Sequence, residues 1–451
     1  MSGDLKKKFA YQLDSLIEKN KLDPVYLTEY LFDAYESSSK NTKLAFVNIL
    51  KKQALKEAEK ARKRQKTGKR LGFFDGMPIS WKDVIDISYA PALAGSKVLE
   101  YTRNLRNIKD ATIFKKAKAR GLISIAKTST VEFAFGGLGL NKSNPLPYNI
   151  RLGRNYLAGG SSTGSAAAVF AGISPISVGT DTAGSVRIPA AWHGLVGFKP
   201  SYKRISKRGI LPLSKTYDTV GIISKCVLDA KLLFGIISKK NLDIKDKCNK
   251  DLKICLVKDF ITQDLNAKAL EEFEFSLRRI SKIGYKIQES KMPEFFKINE
   301  VFKKEGYLVN YEAWNYWKNI IKFKLSDIDH NVKKRFLLGK EMKKIQIIEL
   351  RNKIKKIKKD LLLRIENFDF LILPTLSINP PTLKKIDNDK NYSYYNEKVL
   401  SNTRIANIFN FSAITLPIKK IGTQVFSITL LAKSNDDERL LILAQNIENI
   451  L

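Results

Sequence analysis

Histidine is nearly absent from this chain of 451 residues; His193 and His330 are the two it has. Cysteine is almost as scarce. Cys226, Cys248 and Cys255 form no Cys-x-x-Cys pair and cannot build a disulfide framework. With so little imidazole and thiol, most metal sites and nearly every histidine-based catalytic scheme are excluded before a motif is read. No metal and no cofactor is expected. Long apolar runs are missing too. The richest, Ala166–Gly179, is broken by Gly172, Ser174 and Pro175, and no stretch reaches the roughly 18 residues of a bilayer span. The first residues, MSGDLKKKFAYQLDSLIEKN, lack the apolar centre of a secretory signal. The expectation is a soluble, cytoplasmic protein with free thiols and no membrane partner.

What the chain has in excess is positive charge: 80 Lys and Arg against 45 Asp and Glu, a net +35. Clusters lie at Lys60–Arg70, Lys199–Arg208 and Lys333–Lys358. In the first and third the charges alternate with apolar positions, as on the solvated face of a helix. The excess is spread along the chain rather than concentrated with interleaved aromatics, so nucleic acid is not the expected partner. A hydrophobic content of 44% leaves ample material for a large core and excludes wholesale disorder.

Residues 1–70 read as an N-terminal helical extension, with apolar positions three and four apart (Phe9, Leu13, Leu16, Ile17; then Leu44, Val47, Leu50, Leu55) and a break at Asp23-Pro24. From Leu71 the texture changes to glycine punctuation and short apolar runs. Strands are expected at Pro78–Asp86 and Gly121–Lys127, with a helix over Ala111–Arg120 between them. Another helix should begin within Ser165–Gly172. Strand, helix and strand follow at Leu252–Phe260, Ala267–Ile283 and Gly284–Gln288. A basic helix over Lys340–Asn367 precedes strands at Phe368–Leu373, Ala413–Pro417 and Val425–Leu431. The simplest account is one large α/β domain over residues 71–451.

Three segments carry the chemistry: Gly76–Asp83 (GMPISWKD), Gly159–Ser165 (GGSSTGS) and Gly179–Pro189 (GTDTAGSVRIP). The second matches a G-x-S-x-G nucleophile elbow centred on Ser162, but that motif needs a downstream acid and histidine that this chain does not offer. A phosphate-binding P-loop fails because no Gly-Lys-Ser/Thr follows. In the third segment, Thr182, Ala183, Gly184 and Ser185 have little side-chain bulk. Their backbone N–H groups can converge on one point, as an oxyanion hole requires, with a serine placed to attack the carbonyl held there.

On these segments the chain resembles the amidase signature family. The two serines, Ser161 and Ser185, stand 24 apart as the family pattern has them, and Phe368–Thr375 and Asp436–Ala444 resemble its closing segments. The resemblance implies an α/β fold with a mixed, mostly parallel twisted sheet covered by helices. It also implies hydrolysis of a small amide by a Ser–cis-Ser–Lys triad. By resemblance Ser185 is the nucleophile, Ser161 the bridging serine on a cis peptide, and Lys82 the base. Thr163 and Ala183 stand where the family commonly has glycine, and Gly422–Ser427 (GTQVFS) lacks the usual pattern.

The chemistry is sound in its own terms. A serine hydroxyl needs a base within hydrogen-bond reach. Lysine can be that base only when neutral, which burial favours by penalising the ammonium form. Lys82 sits in such a run, after Ile79 and Trp81 and before Val84 and Ile85. Ser161 can accept from Ser185 and donate to Lys82, carrying the proton across a gap one side chain cannot close. Asp181, Arg187 and Ser162 are expected to brace the loops, Asp181 and Arg187 as a buried pair. Thr180 is assigned to loop architecture, and His193 to the core or a wall.

One branch of the family is the glutaminase subunit of the tRNA-dependent amidotransferase. Val332–Arg335 resembles its arginine region, where such an arginine could hold a substrate carboxylate. An amino-acid substrate would also want an acid for its ammonium, and the aligned position here is Leu400. Asn402–Pro417 instead resembles free-standing bacterial amidases. A stand-alone amidase is therefore the favoured reading, with amidotransferase partner subunits only under the alternative. A homodimer is left open. The different-class alternative is a basic nucleic-acid-binding protein that keeps an inert amidase fold.

Overall fold

Short β-branched runs, each bounded by glycine, proline or a helix cap, supply eleven strands of one sheet in the computed structural model, which describes residues 4–238, 251–260, 265–418 and 426–451. In chain order they are β1 (Phe46–Ile49), β2 (Pro78–Lys82), β3 (Ile123–Thr128), β4 (Ile176–Asp181), β5 (Val196–Lys199), β6 (Thr219–Ser224), β7 (Lys253–Val257), β8 (Lys286–Ser290), β9 (Phe370–Pro374), β10 (Ser412–Ile418) and β11 (Phe426–Ala432). The order across the sheet is β1-β3-β2-β4-β6-β5-β10-β11-β9-β7-β8. Helices surround it, so β2, β3, β4 and β6 are buried along their whole length.

The sheet is mixed, but the expected predominance of parallel pairs does not hold. Parallel pairing joins β2 to β3 and β4, and β7 to β8 and β9. All other described pairs are antiparallel, including the central run from β4 through β6, β5, β10 and β11 to β9. The physical reason lies in the connections. Parallel neighbours need a long crossover and must end side by side; here β5 runs the same way as β4, but β6 returns between them and pairs antiparallel with both.

This topology puts the carboxyl ends of β2, β3 and β4 on one edge of the sheet. Because β6 and β10 run the other way, their amino ends reach the same edge, with Thr219 opposite Asp181 and Ala413 opposite Lys199. Such an edge is where loops gather to form a site.

The N-terminal segment forms the helices Ala10–Glu18, Pro24–Glu36 and Lys51–Lys66, with Asp23 capping the second by accepting from Val25 N at 2.7 Å. It is not wholly helical. Phe46–Ile49 adds an edge strand antiparallel to β3, and the helical spacing that included Val47 misses it. The long basic segment divides into two helices, His330–Glu341 and Lys344–Arg364. Cys226 and Cys255 are buried free thiols; Cys248 and most of Gly422–Ser427 lie outside the described residues. Among the described residues, no helix is long and apolar enough to cross a membrane.

Candidate active site

Lys82 ends β2. Strand alternation turns Trp81 to one face, where its indole donates to Ser124 Oγ at 3.0 Å, and Lys82 to the other. The Lys82 side chain has no exposed surface. Its Nζ donates to Ser161 Oγ at 2.7 Å and to Thr180 Oγ1 at 3.0 Å. Burial disfavours the ammonium form and brings the pKa down to about 7, although Asp181 and Asp218 pull it partly back up. Lys82 is thus an amine whose lone pair is accessible near neutral pH, with two hydroxyls fixing its direction.

Ser161 follows a cis peptide bond from Gly160, and the loop approaches its neighbours closely. A Cβ on Gly160 would stand 2.9 Å from Val131 Cγ2 and 3.0 Å from Gly139 N. Thr130 Oγ1 donates to Ser161 O at 3.0 Å, and Ser162 N donates to Ser185 O at 3.1 Å, so the two serine segments are stitched together through the backbone. Ser162 Oγ donates to Thr180 O at 3.2 Å, a bracing contact. Thr163, one of the two departures, donates to Gly159 O at 2.8 Å at the start of helix Thr163–Phe170. Ser185 is nearly buried and lines the adjoining cavity. Lys82 and Ser161 are joined directly; among the described residues no hydrogen bond joins Ser185 Oγ to Ser161.

The loop after β4 is built around Asp181. Its carboxylate accepts from Gly184 N at 2.9 Å, Val186 N at 3.2 Å and both Arg187 Nε and Nη2, at 3.1 and 3.0 Å. Burial alone would push this carboxyl up, but the Arg187 guanidinium, Lys199 and the hydrogen bonds prevail and hold it at about 2. Asp181 and Arg187 thus form the fully buried pair the sequence called for. The Gly184 N–H is already committed to Asp181 and is not free for an oxyanion. Among the described residues no hydrogen bond within the protein occupies the N–H of Thr182, Ala183 or Ser185. Gly184 has φ +129°, and a Cβ there would lie 2.1 Å from Thr403 Oγ1. Thr182 donates through Oγ1 to Asp218 at 2.6 Å.

A cavity of about 240 Å³ opens from Thr182, Ala183 and Ser185. Its walls are largely apolar, with Phe135, Leu213, Tyr217 and Ile408 among them. Leu400 lines it as well. Arg335 enters between the rings of Phe135 and Tyr392, 5.6 and 5.3 Å from their centroids, and donates to Phe135 O at 2.6 Å. No carboxylate lies within ion-pair distance of it among the described residues. Glu397 also lines the cavity, but it is bound by Arg404 Nη2 at 2.8 Å and Tyr307 OH at 2.7 Å.

Several of these residues escaped the sequence reading. Thr180 Oγ1 touches the amine, a side-chain contact that its assignment to loop architecture does not include; a hydroxyl adjacent to the acidic brace is the available signal. Asn407, which donates to Asp181 Oδ1 at 2.9 Å, and Asp218 carried no local signal. His193 is a core residue. Burial lowers it to about 4, its Nδ1 is 2.8 Å from Pro189 O, and it faces Phe170. His330 pairs with Asp389 on the surface. Among the described residues no group of His, Cys, Asp or Glu could hold a metal ion.

Comparison with known proteins bears on the family and the fold. The Amidase family model matches residues 26–441. Indoleacetamide hydrolase of Pseudomonas savastanoi is 30% identical, over 83% of this chain and 84% of its own length. The A subunit of glutamyl-tRNA(Gln) amidotransferase of Fusobacterium nucleatum is 28% identical, over 97% and 96%. A crystal structure of an amidase superposes with a TM-score of 0.88 at 24% identity, covering 98% of this chain and all of the other, which speaks to the fold. An enzyme built on this sheet, with these motifs at its edge and a family model spanning most of its length, belongs to the amidase family, whose members hydrolyse carbon–nitrogen bonds.

Proposed function

We propose that this chain is a stand-alone amidase that hydrolyses a small carboxylic amide through Ser185, Ser161 and Lys82. The observation that carries the reading is the 2.7 Å contact between a fully buried lysine and Ser161. Ser185 Oγ attacks the amide carbon, and its proton passes through Ser161 to neutral Lys82. The carbonyl oxygen becomes an oxyanion that the N–H groups of Thr182, Ala183 and Ser185 are free to receive; Gly184 serves the loop's shape instead. Collapse of the tetrahedral adduct breaks the C–N bond, and the proton held by Lys82 goes to the leaving amine. Water then attacks the resulting ester, its proton follows the same relay, and the acid leaves.

The cavity favours a substrate with an apolar or aryl acyl group. A free α-amino acid needs an unpaired acid for its ammonium, and Glu397 is already neutralised by Arg404. One observation favours the second reading, a glutaminase subunit acting with amidotransferase partners. Arg335 lines the cavity with no carboxylate partner among the described residues, suited to a substrate carboxylate.

A serine-directed fluorophosphonate probe tests the chemistry. Labelling at Ser185, lost in Lys82→Ala, is the expected result; a well-folded protein that does not label sinks the proposal. Turnover of aryl and alkyl amides by the isolated chain is expected. Glutamine hydrolysis that appears only with a partner subunit and charged tRNA would establish the second reading.

A further inference from the structure

The peptide group between Ala183 and Gly184 is held at both ends. Its N–H donates to Asp181 Oδ1 at 2.9 Å, and its carbonyl accepts from Thr403 Oγ1 at 2.6 Å. Asp181 belongs to the strand that leads into the loop. Thr403 does not; it stands 220 residues on, just before the short helix Arg404–Ile408. Thr403 is 2% exposed, so water does not compete for its hydroxyl. The same hydroxyl lies 3.3 Å from Leu400 O, an ordinary helical back-bond, but the contact to the loop is far shorter. Gly184 is matched to it, since a methyl there would stand 2.1 Å from Thr403 Oγ1.

A peptide plane fixed at its oxygen and its N–H cannot rotate, and this one lies between the Ala183 and Ser185 N–H groups. Their directions are therefore set by Thr403 as much as by the loop itself. We infer that Thr403 is a positioning residue, which fixes the oxyanion loop from the far side without touching the substrate. The inference rests on the amidase reading for its consequence in turnover, though not for its geometry. Arg404, the next residue, lines the cavity through its contacts to Glu397 and Tyr307, so one short segment shapes both the acyl pocket and the loop beside the nucleophile.

The test compares wild type, Thr403→Val and Thr403→Ser in two measurements. In amide hydrogen exchange resolved by residue, the Gly184 N–H of the valine variant should exchange at least about tenfold faster, with β4 unchanged and the serine variant close to wild type. In turnover of a wild-type amide substrate, the valine variant should lose roughly ten- to hundredfold in kcat with KM within about twofold, and serine should recover most of it. Thr403→Ala, which only removes atoms, carries the same expectations should valine fail to fold. Unchanged exchange overturns the inference, as does faster exchange with wild-type kcat. A wild type that neither turns over amides nor labels at Ser185 would refute the amidase reading instead, and loop exchange would still decide the role of Thr403.

Discussion

A lysine brought to about 7 by burial works as a base only above that pH. For Lys82 the sign follows directly. In the proposed relay the neutral amine accepts the proton, so kcat/KM should rise through a limb near pH 7 and level off above it, read from a pH–rate profile on one amide. Stability moves with the same group. Its folded pKa lies below the ordinary lysine value of 10.5, so the unfolded chain binds the extra proton between the two, and stability gains as pH rises through that window. Below about pH 7 the charge is present in both states and carries its full burial penalty. Lys82→Met should therefore abolish turnover, by roughly a thousandfold or more, while its thermal midpoint exceeds wild type by most at pH 6. A variant equally inactive but less stable at every pH would show that Lys82 is structural. Lys199, also fully buried and also lowered to about 7, is the comparison case. Its Nζ donates to Pro200 O, and among the described residues no hydrogen bond joins it to a serine hydroxyl, so its removal should leave the limb near pH 7 in place.

The helix Thr163–Phe170, which follows Ser161, packs across β2, β3, β4 and β6, and its first turn meets the chain just before β1 and just after β3. Gly164 makes that approach possible, since a Cβ would meet Ala45 O at 2.2 Å and Ser129 N at 2.5 Å, both backbone atoms. Gly164→Ala should cost about 1–3 kcal/mol in urea denaturation and reduce turnover through displacement of the preceding serines. Wild-type values for both would mean the helix can slide freely. Elements such as β2 and β3 were legible because a strand covered on both faces reads as a short run rich in apolar residues without the alternation of a half-exposed strand. β5 and β6 were not, because four to six residues amid glycine and threonine carry no period of their own. β1 was disguised, since Val47, Leu50 and their neighbours fall at helical spacing while Val47 itself is half exposed at a sheet edge. The proposed relay was legible because Ser161 and Ser185 each sit in a compact motif of small residues and Lys82 in a short apolar run. Thr403, Asn407 and Asp218 were not, because what brings them to the loop is the order of strands in the sheet.

Across the whole molecule the +35 charge finds no place in the chemistry. On helix Lys51–Lys66 the lysines at 51, 52, 56, 60 and 63 are exposed while Ala54, Ala58 and Ala61 face inward, a solvated face of ordinary kind. Turnover of an uncharged amide should change by less than about twofold between 50 and 500 mM salt, since these charges are screened from a buried site. A steep fall would point to a polyanion or an anionic substrate steered by that surface. The sheet order has a consequence for how the protein is made. All three residues of the proposed relay lie in the first 185 positions, yet the loop that carries Ser185 is tied to Asn407 and Thr403, 226 and 220 residues away from Asp181 and Ala183. A chain emerging from the ribosome therefore carries its proposed nucleophile and base long before it has the parts that hold them in register, and contacts of such separation close late. Hydrolytic competence should arrive only once Thr403 and Asn407 have been made rather than with the motifs themselves, a built-in delay that keeps the unfinished enzyme silent.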